Sequence, residues 1–211
     1  MGMELTRVEP DDAATADEVE LLISATFAVT ARAANIEPSV REILQQAGLS
    51  TKAFYRHFRS KDELLLVALE QGSRRIAEYL QHRMAAQPDP MARIGAWIEG
   101  LVRQAMDPES ARKTLPWSLG FGRLALLFPE EFKRTQALLI SPLERQIRLA
   151  TKSGALHSPD PARDARVIFG YTVDTTRYHL IQDTTPSAAT LQHLIDFARR
   201  ALGAEPSSSA G

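Results

Sequence analysis

The sequence predicts an all-α protein of about nine helices. Three observations predict this fold class. Apolar residues recur at three- and four-residue spacing through most of residues 14–202, no stretch alternates apolar and polar residues, and two serine–glutamate pairs have the spacing of helix-capping boxes. The 211 residues are 44% hydrophobic and 24% charged, a composition that allows a packed core.

The composition also excludes several classes of protein. The chain has no cysteine, which rules out disulfides, thiolate metal sites and cysteine nucleophiles. Its N-terminal stretch lacks the basic and apolar regions of a secretion signal, and no run approaches the roughly 18 apolar residues of a membrane helix. We therefore expect a soluble cytoplasmic protein with no membrane partner.

The first helix is predicted from about Ala14, and the second begins after Ser39. Glu42, three residues further on, completes a capping box with that serine. The letters "AGL" at 47–49 predict a tight turn, and Ser50 is a plausible N-cap for a short third helix that ends near His57. The apolar stripe of the first helix consists of Val19, Leu22, Ile23 and Phe27.

The remaining helices follow breaks that contain proline or glycine. A capping box at Ser60 and Glu63 starts a long helix, and "QPDP" at 87–90 ends it. We expect a kink or break at Pro142 and a C-terminal stop at Gly203. The helices predicted after the third are 61–85, one ending at Asp107, 116–127, 129–153, 161–182 and 187–202, followed by a disordered tail at 204–211.

The third helix has two different sides. On a helical wheel, Phe54 and Phe58 lie together on one side, while Lys52, Tyr55 and Arg56 lie on the other. Two short helices that cross through a turn containing glycine form a helix-turn-helix, whose second helix enters the DNA major groove. Residues 39–61 carry five basic side chains and one acid, so this surface suits a polyanion.

The run "SVREILQQAGLSTKAFYRHFRSKDELL" resembles the N-terminal DNA-binding segment of the TetR family of bacterial transcriptional regulators. The similarity covers about 30 residues, ends near residue 70, and is most specific in Y-x-H-F-x-S-K after A-G-L-S. The family usually has a glycine between its first two helices, whereas this chain has "ANIEP" at 34–38. Asn35 can adopt the left-handed conformation in its place.

The resemblance implies a role for each matching residue. Thr51 and Lys52 should reach base edges, and Tyr55, His57 and Lys61 should contact phosphates on either side of the groove. Lys61 also lies at a helix N-terminus, which favours a phosphate. The full expected DNA-binding set is Ser39, Arg41, Ser50, Thr51, Lys52, Tyr55, Arg56, His57 and Lys61.

The resemblance further implies a DNA-binding domain at residues 1–62 and an effector-binding and dimerisation domain at 63–203. A hydrophobic small molecule would enter the second domain, with Arg112, Lys113 and Arg123 available if it carries an acid. The last two helices would form the homodimer. The expected ligand-binding residues are Trp97, Leu101, Met106, Trp117, Phe121, Phe128, Phe132 and Tyr171.

The main hypothesis is a repressor that leaves a palindromic double-stranded DNA operator when the effector binds. An activator or an effector-independent regulator remains open, as does an all-α enzyme. The enzyme is disfavoured because the sequence has no catalytic His/Asp/Glu constellation. The five histidines include no pair at i, i+3 or i+4, so we expect no metal and no cofactor.

Overall fold

The computed structural model describes residues 11–33 and 37–204, and this part of the chain forms nine helices without a strand. The all-α prediction is therefore confirmed. Asn35 and residues 205–211 of the expected tail lie outside the described residues. The helices are α1 Asp11–Ala33, α2 Val40–Ala47, α3 Thr51–His57, α4 Lys61–Ala85, α5 Pro90–Met106, α6 Pro108–Leu127, α7 Pro129–Lys152, α8 Pro161–Ile181 and α9 Ala188–Ala201.

The first capping box is confirmed and the second is formed only in half. Ser39 Oγ accepts from the amide of Glu42 at 3.2 Å, and Glu42 Oε2 accepts from the amide of Ser39 at 2.8 Å. Ser60 Oγ likewise accepts from the amide of Glu63 at 3.1 Å. Glu63 Oε2, however, accepts from the amide of Arg59 at 2.7 Å, one residue before the position that the box predicts.

The helix start predicted near residue 116 was wrong, and of the kink or break expected at Pro142 the break does not occur. Helix α6 begins at Pro108 rather than near residue 116, because Asp107 accepts from the amide of Ser110 at 2.7 Å and caps the earlier start. Pro116 is buried inside α6. Helix α7 likewise continues through Pro142 without a break. A proline removes one helical hydrogen bond, and the packing of the buried face around it offsets that loss.

The helices bury two hydrophobic cores, and α4 belongs to both. Its first half contributes Leu64 and Leu65 to a core with α1, α2 and α3, which also contains Trp117 and Leu124 of α6. Its second half contributes Leu80 to a core with α5, α7, α8 and α9. Helices α4 and α6 therefore connect the N-terminal three helices with the remainder. The boundary predicted at residue 62 cuts the first core at the start of α4.

The approach of α5 to α4 depends on Gly100. A Cβ at Gly100 would lie 2.5 Å from a methyl group of Leu80, which is fully buried. A larger side chain at residue 100 would require Leu80 or one of the two helices to shift. Among the described helices, none is long and apolar enough to cross a membrane.

Candidate nucleic-acid interface and ligand cavity

The turn between α2 and α3 depends on Gly48. Gly48 has φ 68° and ψ 27°, the left-handed conformation that a glycine adopts without steric cost. The amides of Gly48 and Leu49 both donate to the carbonyl of Leu44, which closes α2. Ser50 then caps α3 by accepting from the amide of Ala53 at 3.2 Å. The predicted turn at 47–49 and the predicted N-caps Ser39 and Ser50 are confirmed.

The buried side of α3 fixes its position on the N-terminal core. Phe54 and Phe58 are both buried, with ring centroids 5.9 Å apart, and they pack against Ile43 and Leu44 of α2. Because these rings occupy one side of α3, its opposite side must face solvent. The buried face predicted for α3 is therefore confirmed.

The exposed side of α3 presents hydroxyl, amine, phenol and guanidinium groups together. Tyr55 is 62% exposed, and Thr51, Lys52 and Arg56 are also exposed. These groups can donate to base edges and phosphates in a groove. Three further members of the predicted set, Ser39, Arg41 and Ser50, are exposed around α2 and the turn.

His57 lies apart from this exposed side. Its side chain is only 6% exposed, and its Nε2 lies 2.7 Å from Glu18 Oε2 on α1. Glu18 also pairs with Arg56 at 3.1 Å. The hydrogen bond with His57, followed by the charge of Arg56, lowers the pKa of Glu18. In this arrangement His57 joins α3 to α1, a contact that the sequence did not reveal because Glu18 is 39 residues away.

Lys61 takes part in an ion network that reaches the C-terminal region. Its Nζ lies 3.1 Å from Glu37 Oε2, while Glu37 Oε1 and Asp62 Oδ2 each lie 2.8 Å from the guanidinium of Arg123 on α6. The hydrogen bond from Lys61 is the largest cause that lowers the pKa of Glu37. A phosphate that binds Lys61 must therefore compete with Glu37. Arg123, predicted beside the ligand, lies in this network instead.

A small internal cavity lies between α4, α5, α6, α7 and α8. Its volume is about 110 Å³. Three of the predicted ligand-binding residues, Leu101, Phe121 and Phe132, line this cavity. A fourth, Trp117, lines an adjoining groove between α1, α4 and α6. Hydroxyl and amide groups from Ser73, Gln104, Thr114, Ser118, Gln136 and Thr176 also line the cavity, and no pattern in the sequence indicated them.

The other four predicted ligand-binding residues lie elsewhere. Trp97 is fully buried in the C-terminal core and donates its Nε1 hydrogen to the carbonyl of Leu139 at 3.2 Å. Phe128 packs against the N-terminal core, and Tyr171 packs on α9. Met106 lines two other pockets near the end of α5, with volumes of about 690 and 300 Å³. Helical spacing alone could not separate core from cavity, since both bury the same kinds of side chain.

A larger groove adjoins the cavity and opens between α1, α4 and α6. Its volume is about 800 Å³, and Leu69, Ser73 and Phe121 line both spaces. On the α1 side the groove is lined by Phe27, whose ring approaches Gly72 of α4 so closely that a Cβ there would lie 3.3 Å away. Separately, no three acidic or histidine side chains in the described ranges come together to hold a metal ion.

The fold is shared with solved structures, several of which are transcriptional regulators. FadR from Bacillus subtilis, solved with stearoyl-CoA, is 16% identical with a TM-score of 0.72, covering 87% of this chain and 98% of that one. RolR, solved with resorcinol, is 16% identical with a TM-score of 0.68, covering 92% and 91%. A TetR regulator from Haloarcula marismortui is 18% identical with a TM-score of 0.69, covering 89% and 97%.

The N-terminal helices also match a family model. No curated protein sequence matches the chain, and at identities below 20% the solved structures show the fold. Residues 23–68, which span the turn at Gly48 and the exposed side of α3, match the model of bacterial regulatory proteins of the tetR family. The segment that forms the helix-turn-helix therefore resembles the TetR family of bacterial regulatory proteins, and the chain shares its fold with solved structures that include a TetR transcription regulator.

Proposed function

We propose that this regulator is a repressor, which binds a palindromic operator as a homodimer and leaves it when a small hydrophobic effector binds. The family whose model matches residues 23–68 is one of bacterial regulatory proteins, which supports DNA binding rather than catalysis. The observation that carries the proposal is the exposed side of α3, where Thr51, Lys52 and Tyr55 stand opposite the buried Phe54 and Phe58.

The geometry of α3 supports base reading near its N-terminus. Thr51 and Lys52 are the first two residues of the helix, and the N-terminal residues of a recognition helix contact base edges in the major groove. Tyr55, one turn later, would contact a phosphate. Lys61, at the start of α4, would contact a second phosphate once its bond to Glu37 opens.

An exposed apolar stripe on α8 supports the homodimer. Val167, Tyr178 and Ile181 are between 50% and 60% exposed, and Gly170 between them has open space around it. Helix α9 contributes less apolar surface than its sequence suggests, because its buried residues Leu194 and Ala198 pack into the core of their own chain. Two copies of the α8 stripe would bury each other across a two-fold axis.

The cavity supports a small hydrophobic effector. Helix α6 lines it with Phe121, and the same helix reaches the N-terminal core with Trp117 and Leu124. A ligand that prefers a different position of α6 would therefore change the spacing of the two recognition helices. Two proteins of the same fold were solved with an organic ligand, stearoyl-CoA in FadR and resorcinol in RolR.

A selection from random double-stranded DNA tests the operator proposal directly. Wild-type protein should enrich a palindrome whose half-sites are about one helical turn apart. The variant Lys52→Ala should enrich the same palindrome with one relaxed position in each half-site. Enrichment of single half-sites, or of no sequence, would contradict a dimeric repressor. An effector that tightens operator binding would show regulation of the opposite sign.

A further inference from the structure

The groove between α1, α4 and α6 is lined by positively charged side chains. Among the described residues that line it, four are cationic and none is acidic. The cations come from three helices: Arg32 from α1, Arg75 from α4, and Arg112 and Lys113 from α6. Like charges that converge on one groove repel each other, so an anion bound among them would be stabilised.

The floor of the same groove is apolar. Phe27, Leu69, Ile76 and Leu139 line it together with Trp117, and the rings of Phe27 and Trp117 lie 5.3 Å apart. The groove therefore offers hydrocarbon and aromatic surface below a cationic rim. A ligand that uses both needs a hydrophobic body and an acidic group.

A second observation also points to a ligand. The side chain of Trp117 is 94% buried, as its residual exposure of 6% shows, yet its Nε1 has no hydrogen-bond partner within the described part of the chain. Buried donors in folded proteins are nearly always satisfied. An oxygen of a ligand in the groove could accept this hydrogen bond.

The four cationic side chains differ in the interactions that they already make with other residues of the protein. Lys113 pairs with Glu109 at 2.6 Å, Arg32 donates to Gln46 at 3.2 Å, and Arg75 lies 5.9 Å from the centre of the Phe27 ring. Arg112 makes no ion pair within the described residues and is exposed at the rim. Its planar guanidinium can bind a carboxylate or phosphate through two parallel hydrogen bonds.

We infer that this groove binds an amphipathic anion, a hydrocarbon body with a carboxylate or phosphate group, and that the anion is held by Arg112 and its neighbouring cations at the rim. The inference rests on the effector role proposed above, extends the effector's site from the cavity into the adjoining groove, and gives the effector its chemical class. Because the cations come from both α1 and α6, such a ligand would join the N-terminal helices to the effector-binding region.

Calorimetry with three ligands of equal chain length tests the charge requirement. Dodecanoate should bind at least about tenfold more tightly than dodecanol or dodecyltrimethylammonium. Coenzyme A and dodecanoyl-CoA show whether the preferred anion is a free carboxylate or a phosphate-bearing thioester. Equal affinity for dodecanoate and dodecanol, or no binding of either dodecanoate or dodecanoyl-CoA, would overturn the inference.

A pair of matched variants locates the site. Arg112→Gln/Lys113→Gln should weaken dodecanoate binding by about tenfold, because two rim charges are lost. Lys133→Gln/Arg134→Gln, a neighbouring basic pair on the exposed side of α7, should leave it unchanged, since neither residue lines the groove. Equal loss in both variants would mean nonspecific attraction of the anion and would contradict the site.

The fluorescence of Trp117 gives an independent readout. In Trp97→Phe, Trp117 is the single remaining tryptophan, and dodecanoate should change its emission. Operator binding separates this inference from the proposed function. If the anion binds but operator affinity does not change, the groove binds anions and the proposed effector role is contradicted. If dodecanol and dodecanoate both release the protein from the operator, the effector role is supported and the anion site is contradicted.

Discussion

Glu37 Oε1 lies 2.8 Å from the guanidinium of Arg123, a residue 86 positions further along the chain. The other oxygen of Glu37 accepts from Lys61, and the other side of the same guanidinium donates to Asp62. The segment before α2, the start of α4 and the C-terminal half of α6 are thus joined by one ion network. Since α6 also lines the cavity and the groove, this network connects a candidate ligand site with a candidate DNA contact.

Loss of Arg123 should uncouple ligand from operator. A releasing ligand lowers operator affinity, and in Arg123→Gln this ligand-induced decrease should be about fivefold smaller than in wild type. The reason is that α6 loses its ion pairs with Glu37 and Asp62. Fluorescence anisotropy with a labelled operator measures this decrease. Arg134→Gln on α7, which removes an exposed pair with Glu131, is the control. A decrease in Arg123→Gln as large as in wild type would show that coupling takes another route.

Lys61 and Lys52 should affect DNA binding in different ways. Lys61→Ala should weaken binding to every sequence and reduce the slope of log K against log salt by about one. Lys52→Ala should relax one operator position at a cost of about 1 to 3 kcal/mol. Titrations of specific and random duplexes at several salt concentrations separate the two effects. Wild-type affinity of Lys61→Ala at every salt concentration would contradict the phosphate contact.

Glu18 should make stability depend on acid pH. Its pKa is lowered in the folded state, chiefly by the hydrogen bond with His57, so folding favours the ionised carboxylate. The stabilisation is present above the ordinary glutamate pKa and is lost as the pH falls through the folded value. The stability advantage of wild type over Glu18→Gln should therefore shrink from about pH 5 to pH 3.

Urea unfolding at a series of pH values measures this difference. His57→Gln should remove much of the same pH dependence, since it deletes the larger cause of the shift. A pH-independent difference between wild type and Glu18→Gln would contradict the assignment.

The α8 stripe should control the oligomeric state. Val167→Glu/Ile181→Glu places two charges where two copies would pack, so the variant should be monomeric at micromolar concentration and lose operator affinity. Leu126→Glu, at an 86% exposed position on α6, is the control and should remain dimeric. Sedimentation equilibrium gives the mass. Ile195 and Phe197, suggested by the sequence, are poorer choices because Ile195 packs beside Gly95 and Phe197 against Tyr171.

Two glycines should respond oppositely to alanine. Gly100→Ala should destabilise the protein by about 1 to 3 kcal/mol, because the added methyl group meets buried Leu80 at 2.5 Å. Gly122→Ala, inside α6 with open space around it, should stabilise by about 0.5 to 1 kcal/mol through helix propensity. Free energies of unfolding in urea provide the comparison. A stable Gly100→Ala would mean that α4 and α5 can separate without cost.

The sequence by itself determined the structural features that depend on residues close together in the chain. The capping of α2 by Ser39, the left-handed turn at Gly48 and the buried pair Phe54 and Phe58 all arise within a few positions. Local hydrogen bonds and helical spacing act over one or two helical turns, so they can be predicted from the amino-acid sequence. The start of α6 at Pro108 was missed because Asp107 was interpreted only as the end of the preceding helix, whereas its side chain also caps the next one.

Only the tertiary structure decided which side chains meet across long separations. His57 faces Glu18, Arg123 faces Glu37, and the cations of the groove converge from three helices. Apolar spacing indicates that Trp97 and Trp117 are both buried, but it does not show that Trp97 lies wholly inside a core while Trp117 belongs to a core and also lines a groove. That difference depends on how helices far apart in the chain are positioned, which the packing of the whole protein decides.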